Sequence, residues 1–480
     1  MNQTDIVPFT IESVDLEELP EGWKIALLKD IGEVRLGKTP KKSDYRNDGI
    51  HRIVKFRDIS YNGVNYSISK AAYVPDDPKI VRELKKLRVG DVLLTASAHS
   101  GDQIGKKCAY VDHLPNIQGG VYFAGELLGI TGNPEIIHKK WPYLWLRSNI
   151  GVKVVQKFVF GVHLTGGRAQ NIPIILPPLA EQQRIVARVE ALLTHVNATR
   201  DRLSRVPLIM KKFRQAVLAA ACSGRLTEGW REENPNKLPA CELIQQIKKI
   251  RQEQKNPNVT KKLKNFQNAE FEAIQEESID IPDSWAWCQI QDITQVQLGG
   301  TPSRKESTYW GGEISWISSG EVANNRIRTT REKITVLGLK NSNAKLYPKG
   351  TVLIAMIGEG KTRGQSAILD IEAATNQNVA GLVFDTDKIF NEFVWLWTLS
   401  QYEKTRAVGR GGEQPALNGE KVRNLMLALP PLAEQHEIVR RVGLLFARAD
   451  AFDQEVAAAS RRCERLMQAV LGKAFRGELR

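Results

Sequence analysis

The sequence predicts an α+β protein in which two globular α/β units are separated by two long antiparallel α-helices, a coiled-coil spacer, the whole forming a pseudo-twofold tandem repeat. Three observations carry that expectation. Residues 176–193 (LPPLAEQQRIVARVEALL) return as residues 429–446 (LPPLAEQHEIVRRVGLLF), identical at 12 of 18 positions at an offset of 253, and a long unit that recurs once implies two like domains in one chain. Apolar residues after each Pro-Pro pair recur at helical spacing. Between the repeats lie short β-branched runs bounded by Gly, Asn, Asp and Ser, the punctuation of strands and turns.

The elements follow in order. Residues 1–172 form the first globular unit, opening on LPEGW and GKTP at 19–23 and 37–40, with a strand-like run at 91–95. Residues 173–231 are the first long helix: Leu179, Ile185, Val186, Val189, Leu192, Leu193 and Val196 share one face, and Gly224 stands near the end. At 1.5 Å per residue its stretch from Leu179 to Ala221 is ~64 Å long, more than one small domain holds. Pro207 stands where the second copy has Ser460, and a proline inside a helix predicts a kink or a break. Residues 232–280 are dense in Lys, Glu, Gln and Asn and read as a mobile linker with some helix. Residues 281–428 are the second globular unit, repeating Trp23 as Trp285, Asp30 as Asp292 and GKTP as GGTP at 299–302. Residues 429–480 are the second long helix. A compact chain brings it back antiparallel along the first, giving a dumbbell with its chain ends close together. Alone, a helix pair is also compatible with a plain spacer or dimerisation device.

The 480 residues carry a formal net charge of +14, which suggests a polyanionic partner. Residues 173–231 hold +6 of it, with Arg200, Arg202, Arg205, Lys211, Lys212 and Arg214 in one basic run suited to neutralising phosphates or to facing solvent. No stretch approaches the ~20 apolar residues of a membrane span, and the start MNQTDIVPFT lacks a signal pattern. The five scattered cysteines, with no C-x-x-C spacing, read as reduced thiols of a cytoplasmic protein.

Motifs for catalysis fail on context. AMIGEGKT at 355–362 fits a relaxed phosphate-loop pattern, but RGQSAILD after it reads as a turn into a strand, where a phosphate cradle needs a helix. Both Pro-Pro pairs are flanked by leucine, so neither supplies the carboxylate or amide of an adenine methyltransferase. The seven histidines form no metal-binding set. The expectation is a non-catalytic chain with no metal and no cofactor of its own.

The double LPPLAEQ…IV segment, the RQAVLAAACSGRLTE helix end, the LPEGW and Gly-x-Thr-Pro starts and GGEQPALNGEKVRNLMLALPPLAEQ from Gly411 closely resemble the specificity subunit of type I restriction-modification systems, over nearly the whole chain. The resemblance implies that each globular unit is a target-recognition domain reading one half of a bipartite, asymmetric site in double-stranded DNA, while the helices set the spacing and bind partners. Those partners are two modification subunits, which methylate adenine at N6 with S-adenosylmethionine, and restriction subunits using ATP and Mg. No membrane is involved. The expected DNA contacts lie on polar loops: Lys38, Thr39, Lys41, Arg57, His99, Gln103, Lys106 and His163 in the first unit, and Thr301, Ser303, Arg304, Ser318, Lys361, Arg363, Arg410 and Gln414 in the second. The first unit has FGVHL where the second has QPAL, so Gln414 has no counterpart there. Partner contacts are expected along Glu181, Gln182, Ile185, Glu434, Gln435 and Ile438, although a role of the Glu-Gln pairs in fastening the helix starts explains them equally well. The other classes are a coiled-coil scaffold, which binds DNA weakly or not at all and without sequence preference, and an autonomous DNA methyltransferase, which binds the methyl donor alone.

Overall fold

The computed structural model describes residues 19–67, 71–235, 237–254, 280–358, 360–407 and 417–479. The chain divides into two compact units, Met1–Ser204 together with Val456–Arg480, and Arg205–Glu455. Both boundaries fall inside the long helices, Leu179–Cys222 and Leu432–Phe475. Each helix therefore gives its start to one core and its end to the other. The first helix is unbroken through Pro207, which excludes a break, one of the two outcomes the proline predicted.

In the first unit a four-stranded antiparallel sheet has the order Gly32–Leu36, Leu127–Gly132, Val92–Thr95, Cys108–Tyr110. Val92, Leu93, Leu94 and Thr95 are all buried, because this central strand is covered on both faces and so reads as a continuous apolar run. A second sheet orders Ala72–Val74, His51–Val54, Val121–Phe123 and Lys85–Lys86, with Val121–Phe123 parallel to His51–Val54. Two ion pairs buried within the unit, Arg35 to Asp91 at 2.7 Å and Arg52 to Asp58 at 2.8 Å, fasten loops to these sheets. Lys24–Leu27 pairs with Pro173–Leu176 and delivers the chain to the first long helix. Ile185, Val186, Val189 and Leu193 of that helix join Met467, Leu471, Ala474 and Phe475 of the second helix in one core. Within this unit Arg200 also meets Met467 at 3.9 Å, so later residues of one helix lie against earlier residues of the other.

The second unit repeats the plan. Its five-stranded sheet runs Gln295–Leu298, Val379–Val383, Val352–Ala355, Ser366–Leu369, Asn325–Ile327, and a smaller sheet places Trp310–Ile317 between Glu332–Ile334 and the parallel Ala374–Thr375. Here Val217, Leu218 and Ala221 pack in one core with Ile438 and Val442, while Arg214 bonds Asp450 at 2.6 Å and Asp453 at 2.8 Å. The helix pairing is antiparallel within this unit too. Ser366–Leu369 is a strand, in the place where a phosphate loop would need its helix.

The linker expected over 232–280 does contain helix, but in its first part that helix is packed against the second core. Ala240–Gln254 is a helix whose Leu243, Ile244 and Ile247 are buried in the second core, with Lys248 held to Asp292 at 3.0 Å and Arg251 to Asp385 at 3.3 Å. Its apolar stripe is three residues wide and easily masked by polar composition. Residues 255–279 lie outside the described residues.

A surface ion cluster in this unit gives it an acid-sensitive edge. Asp370 accepts from Arg326 at 2.6 Å and from Arg328 at 3.0 Å, and these bonds, Arg326 first, hold its carboxyl down from 3.8 to about 2. Because the folded value lies below the unfolded one, the cluster contributes fully above pH ~4 and is lost as pH falls towards ~2. Asp370→Asn is expected to lower stability in urea at pH 7 and to match the parent chain at pH 2. A deficit that stayed constant across that range would refute the assignment.

Among the described residues no helix is long and apolar enough to cross a membrane, and no group of His, Cys, Asp or Glu is placed to hold a metal ion. All five cysteines are free, and burial pushes the Cys108 thiol up to about 12.

Candidate nucleic-acid interface

In each unit one short connection gathers the polar loops onto a single edge. In the first unit it is residues 123–127. The Phe123 carbonyl accepts from the Lys38 amide at 3.2 Å, the Gly125 amide donates to Thr39 Oγ1 at 2.9 Å, and the Glu126 carboxylate accepts from the Phe56 amide at 2.6 Å. The Glu126 carbonyl takes the Ala96 amide at 2.9 Å. Three loops, carrying Lys38 and Thr39, Arg57, and His99 to Lys106, are thereby fixed to one another. The GKTP motif has a steric reason here, since a Cβ on Gly37 would lie 2.1 Å from the Ala124 carbonyl oxygen.

Residues 375–378 do the same in the second unit. The Thr375 carbonyl accepts from the Gly300 amide at 2.8 Å, the Asn376 amide donates to Ile317 at 3.0 Å, and the Asn378 carbonyl accepts from the Met356 amide at 2.9 Å. Thr301 Oγ1 donates to Gln377 Oε1 at 2.6 Å. The loops of Thr301, Ser318 and Lys361 are thus joined as their counterparts are. Glu126 and Gln377, which hold these edges, carry no sequence motif; their segments FAGEL and TNQNV correspond through the strands on either side, Val121–Phe123 and Leu127–Gly132 in one unit, Ala374–Thr375 and Val379–Val383 in the other.

The individual residues fare differently. Thr39, Lys41, His99, Lys106, Thr301, Ser303 and Lys361 are exposed. Ser97 Oγ lies 3.1 Å from His163 Nδ1, which brings His163 beside the loop of His99. Lys106 and Gln103 both bond Asp102, at 3.1 and 2.6 Å, and Lys38 pairs with Glu83 at 3.5 Å; these exposed pairs are weak and exchange readily for phosphate, whereas Arg57 lies 3.6 Å from the buried Asp58. Arg304 is held more firmly. It stacks over Trp310 at 3.7 Å and bonds Glu332 at 3.0 Å, so its charge is largely spent within the unit. Ser318 is turned to Glu321 at 3.1 Å. Arg363 is a correction: it is buried, because residues 361–364 fold onto Tyr402–Ala407, whose Tyr402 hydroxyl donates to the Lys361 carbonyl at 2.7 Å. Arg410 and Gln414 lie outside the described residues.

The expected partner contacts are also corrected. Gln182, Ile185, Glu434, Gln435 and Ile438 are buried, and Glu181 is half-buried. Trp23 Nε1 donates to Glu181 at 3.0 Å and Trp285 Nε1 to Glu434 at 2.9 Å. Gln182 donates to the Pro177 carbonyl at 2.8 Å and accepts the His138 amide at 2.8 Å; Gln435 donates to the Pro430 carbonyl and accepts the Phe390 amide, each at 2.9 Å. The repeated Pro-Pro-Leu-Ala-Glu-Gln is therefore the latch that fixes each long helix to its own globular unit. The basic run on the first helix is divided as well. Arg200 lies over the Tyr61 ring and Arg214 is paired to aspartates, while Arg202, Arg205, Lys211 and Lys212 remain exposed.

Two copies of an α/β unit, each with a loop edge gathered by an equivalent connection and each latched to a long helix, define a duplicated recognition-domain protein. Residues 20–207 and 282–450 match the type I restriction modification DNA specificity domain, and the chain belongs to that family. It is 26% identical over 478 residues to the type I restriction enzyme EcoKI specificity subunit of Escherichia coli (strain K12), covering 96% of this chain and 90% of the relative. It is 32% identical over 327 residues to the EcoBI specificity subunit of Escherichia coli, covering 66% and 60%. A solved structure from work on complex assembly and conformational transition of the type I R-M system superposes with a TM-score of 0.60 at 18% identity, over 96% of this chain and 99% of that one, which shows the shared fold.

Proposed function

We propose that this chain selects the DNA sequence for a type I restriction-modification complex, with residues 1–172 and 281–428 each reading one half of a bipartite, asymmetric site. The observation that carries the reading is the pair of loop edges on the same backbone frame but with unlike side chains: Glu126, His99 and Lys106 in one, Gln377 and Lys361 in the other. Like frames approach DNA alike, and unlike side chains choose different bases. Gln377 joins Thr301 as a contact of the second domain. The segments 173–231 and 429–480 act as the spacer that sets the distance between the two half-sites.

The chemistry belongs to the partners. Two modification subunits on the outward faces of the helices methylate adenine N6 with S-adenosylmethionine, which requires flipping the base, and restriction subunits using ATP and Mg complete the cytoplasmic assembly. This chain contributes no catalytic group. Its Pro-Pro segments, where a methyltransferase would hold its target amino group, are occupied by the helix latches.

The test is to co-express the chain with its modification subunit and map N6-methyladenine across a genome. A single bipartite motif, one half of which changes when residues 1–172 are exchanged for another such domain, is expected. Scattered methylation, or none from a stable complex, would replace this reading with that of a scaffold.

A further inference from the structure

Among the described residues, the most exposed large apolar side chain of the first unit is not on a helix or at a core edge. It is Phe160, 73% exposed, at the start of a four-residue turn, 160–163, whose members are all exposed. The turn is a closed hairpin: the Phe160 amide donates to the His163 carbonyl at 3.0 Å and the His163 amide to the Phe160 carbonyl at 3.1 Å. Gly161 supplies the positive φ of +58° that the tip requires. The hairpin is locked to the loop carrying His99 and Lys106 by the Ser97–His163 bond and by a contact so close that a Cβ on Gly101 would lie 2.3 Å from the Gly161 carbonyl oxygen. Beyond the ring stands Arg168, its guanidinium 5.1 Å from the Phe160 centroid, with no ion pair among the described residues.

A rigid, exposed aromatic residue serves no packing purpose in the free chain, since solvation of Phe160 is unfavourable by the full apolar area it displays. Its setting names the occupant. Arg168 stands against its ring, His163 closes its turn, and the one carboxylate of the adjoining loop, Asp102, is matched by Lys106, so the partner surface is anionic with one apolar feature. In the major groove the thymine 5-methyl is the apolar group on a base edge, and a groove ~12 Å wide that admits a whole helix also admits this narrower turn. Intercalation stacks both faces of a ring, whereas Arg168 already covers one face here.

We infer that the 160–163 hairpin is a reading finger of the first recognition domain, with the Phe160 ring against the 5-methyl group of a thymine in the first half-site and Arg168 on an adjoining phosphate. The inference rests on the DNA-reading function proposed above. It adds a base contact made without hydrogen bonds, on a side chain that no motif distinguishes.

The experiment measures DNA binding by the complete complex of this chain with its modification subunits. The duplexes carry the mapped site, with each thymine of the first half replaced in turn by uracil, which keeps base pairing and removes only the methyl group. In the parent complex one replacement is expected to weaken binding about fourfold, the value of one buried methyl group. Phe160→Ala should weaken binding to the thymine duplex by at least as much and abolish its preference over uracil, while Phe160→Leu keeps part of that preference. Arg168→Gln should weaken binding to all sequences alike and reduce the salt dependence by about one counterion. A thymine preference that survives Phe160→Ala, the absence of any sensitive thymine in the first half, or loss of the modification subunit from the Phe160→Ala complex would each overturn the inference. A parent complex with no sequence preference would instead remove the DNA-reading function beneath it.

Discussion

Phe475→Ala is expected to destabilise the first unit by about 4 kcal/mol and to leave the second unit's unfolding unchanged. Phe475 is fully buried and meets two rings edge-on, Trp141 at 4.9 Å and Trp145 at 5.0 Å. Truncation leaves a cavity between two indoles whose own positions are fixed, because Trp141 Nε1 donates to the Ile175 carbonyl at 2.7 Å and Trp145 Nε1 to Pro173 at 3.2 Å. The site therefore relaxes little, which places the cost in the upper part of the range for buried aromatics, with ~1 kcal/mol from the lost edge-to-face contacts. Hydrogen exchange followed by peptide in both units is the measurement. Faster exchange in residues 127–147, with residues 379–399 unaffected, is expected; faster exchange in the second unit instead would show that the C-terminal helix end belongs to the other core.

That assignment shows where sequence reading stops. The tandem repeat, both long helices and the central strands were legible, because each leaves a local pattern of identity, period 3.6 or an apolar run. Which core a helix end enters leaves none: Met467, Leu471 and Phe475 have the same periodicity whichever unit they fill. The Glu-Gln pairs were legible as a repeated motif, yet a carboxylate at a helix start looks the same in solvent as beneath a tryptophan, and only the fold brings Trp23 to Glu181. Loop edges were legible as regions through GKTP and the glycine-rich loops. The direction of each side chain was not, so Arg363 lies buried in a loop whose neighbour Lys361 faces outward. Leu243, Ile244 and Ile247 were hidden by the polar residues around them, and Phe160 was visible only as the residue opposite a motif it lacks.

Glu434 and Glu181 occupy the same place in the repeat, and burial alone should separate the consequences of removing them. Glu434 is 1% exposed and accepts three bonds, from Trp285 Nε1 at 2.9 Å, Thr227 Oγ1 at 2.7 Å and Arg231 at 2.6 Å. Glu434→Ala leaves a buried indole N–H without its acceptor, leaves the Thr227 hydroxyl only the Gly224 carbonyl at 3.4 Å, and uncouples Arg231 from its carboxylate. Because Arg231 is itself 20% exposed and also donates to the Gly224 carbonyl at 2.7 Å, its charge is partly relieved, and the total should be about 3 kcal/mol instead of the full cost of breaking a wholly buried pair. Glu181 is 25% exposed, bonds Trp23 at 3.0 Å, and meets an Arg184 that is 56% exposed at 3.3 Å. Water replaces those bonds, so Glu181→Ala should cost about 1 kcal/mol. Urea unfolding of the two variants reads the difference, with Trp285→Phe added to the Glu434→Ala background as a check. There the second substitution should cost less than it does alone, since the indole N–H has already lost its acceptor. Equal losses from Glu434→Ala and Glu181→Ala would mean that the latch works through charge at the helix start, independent of burial, and that the hydrogen bonds to the tryptophans contribute little.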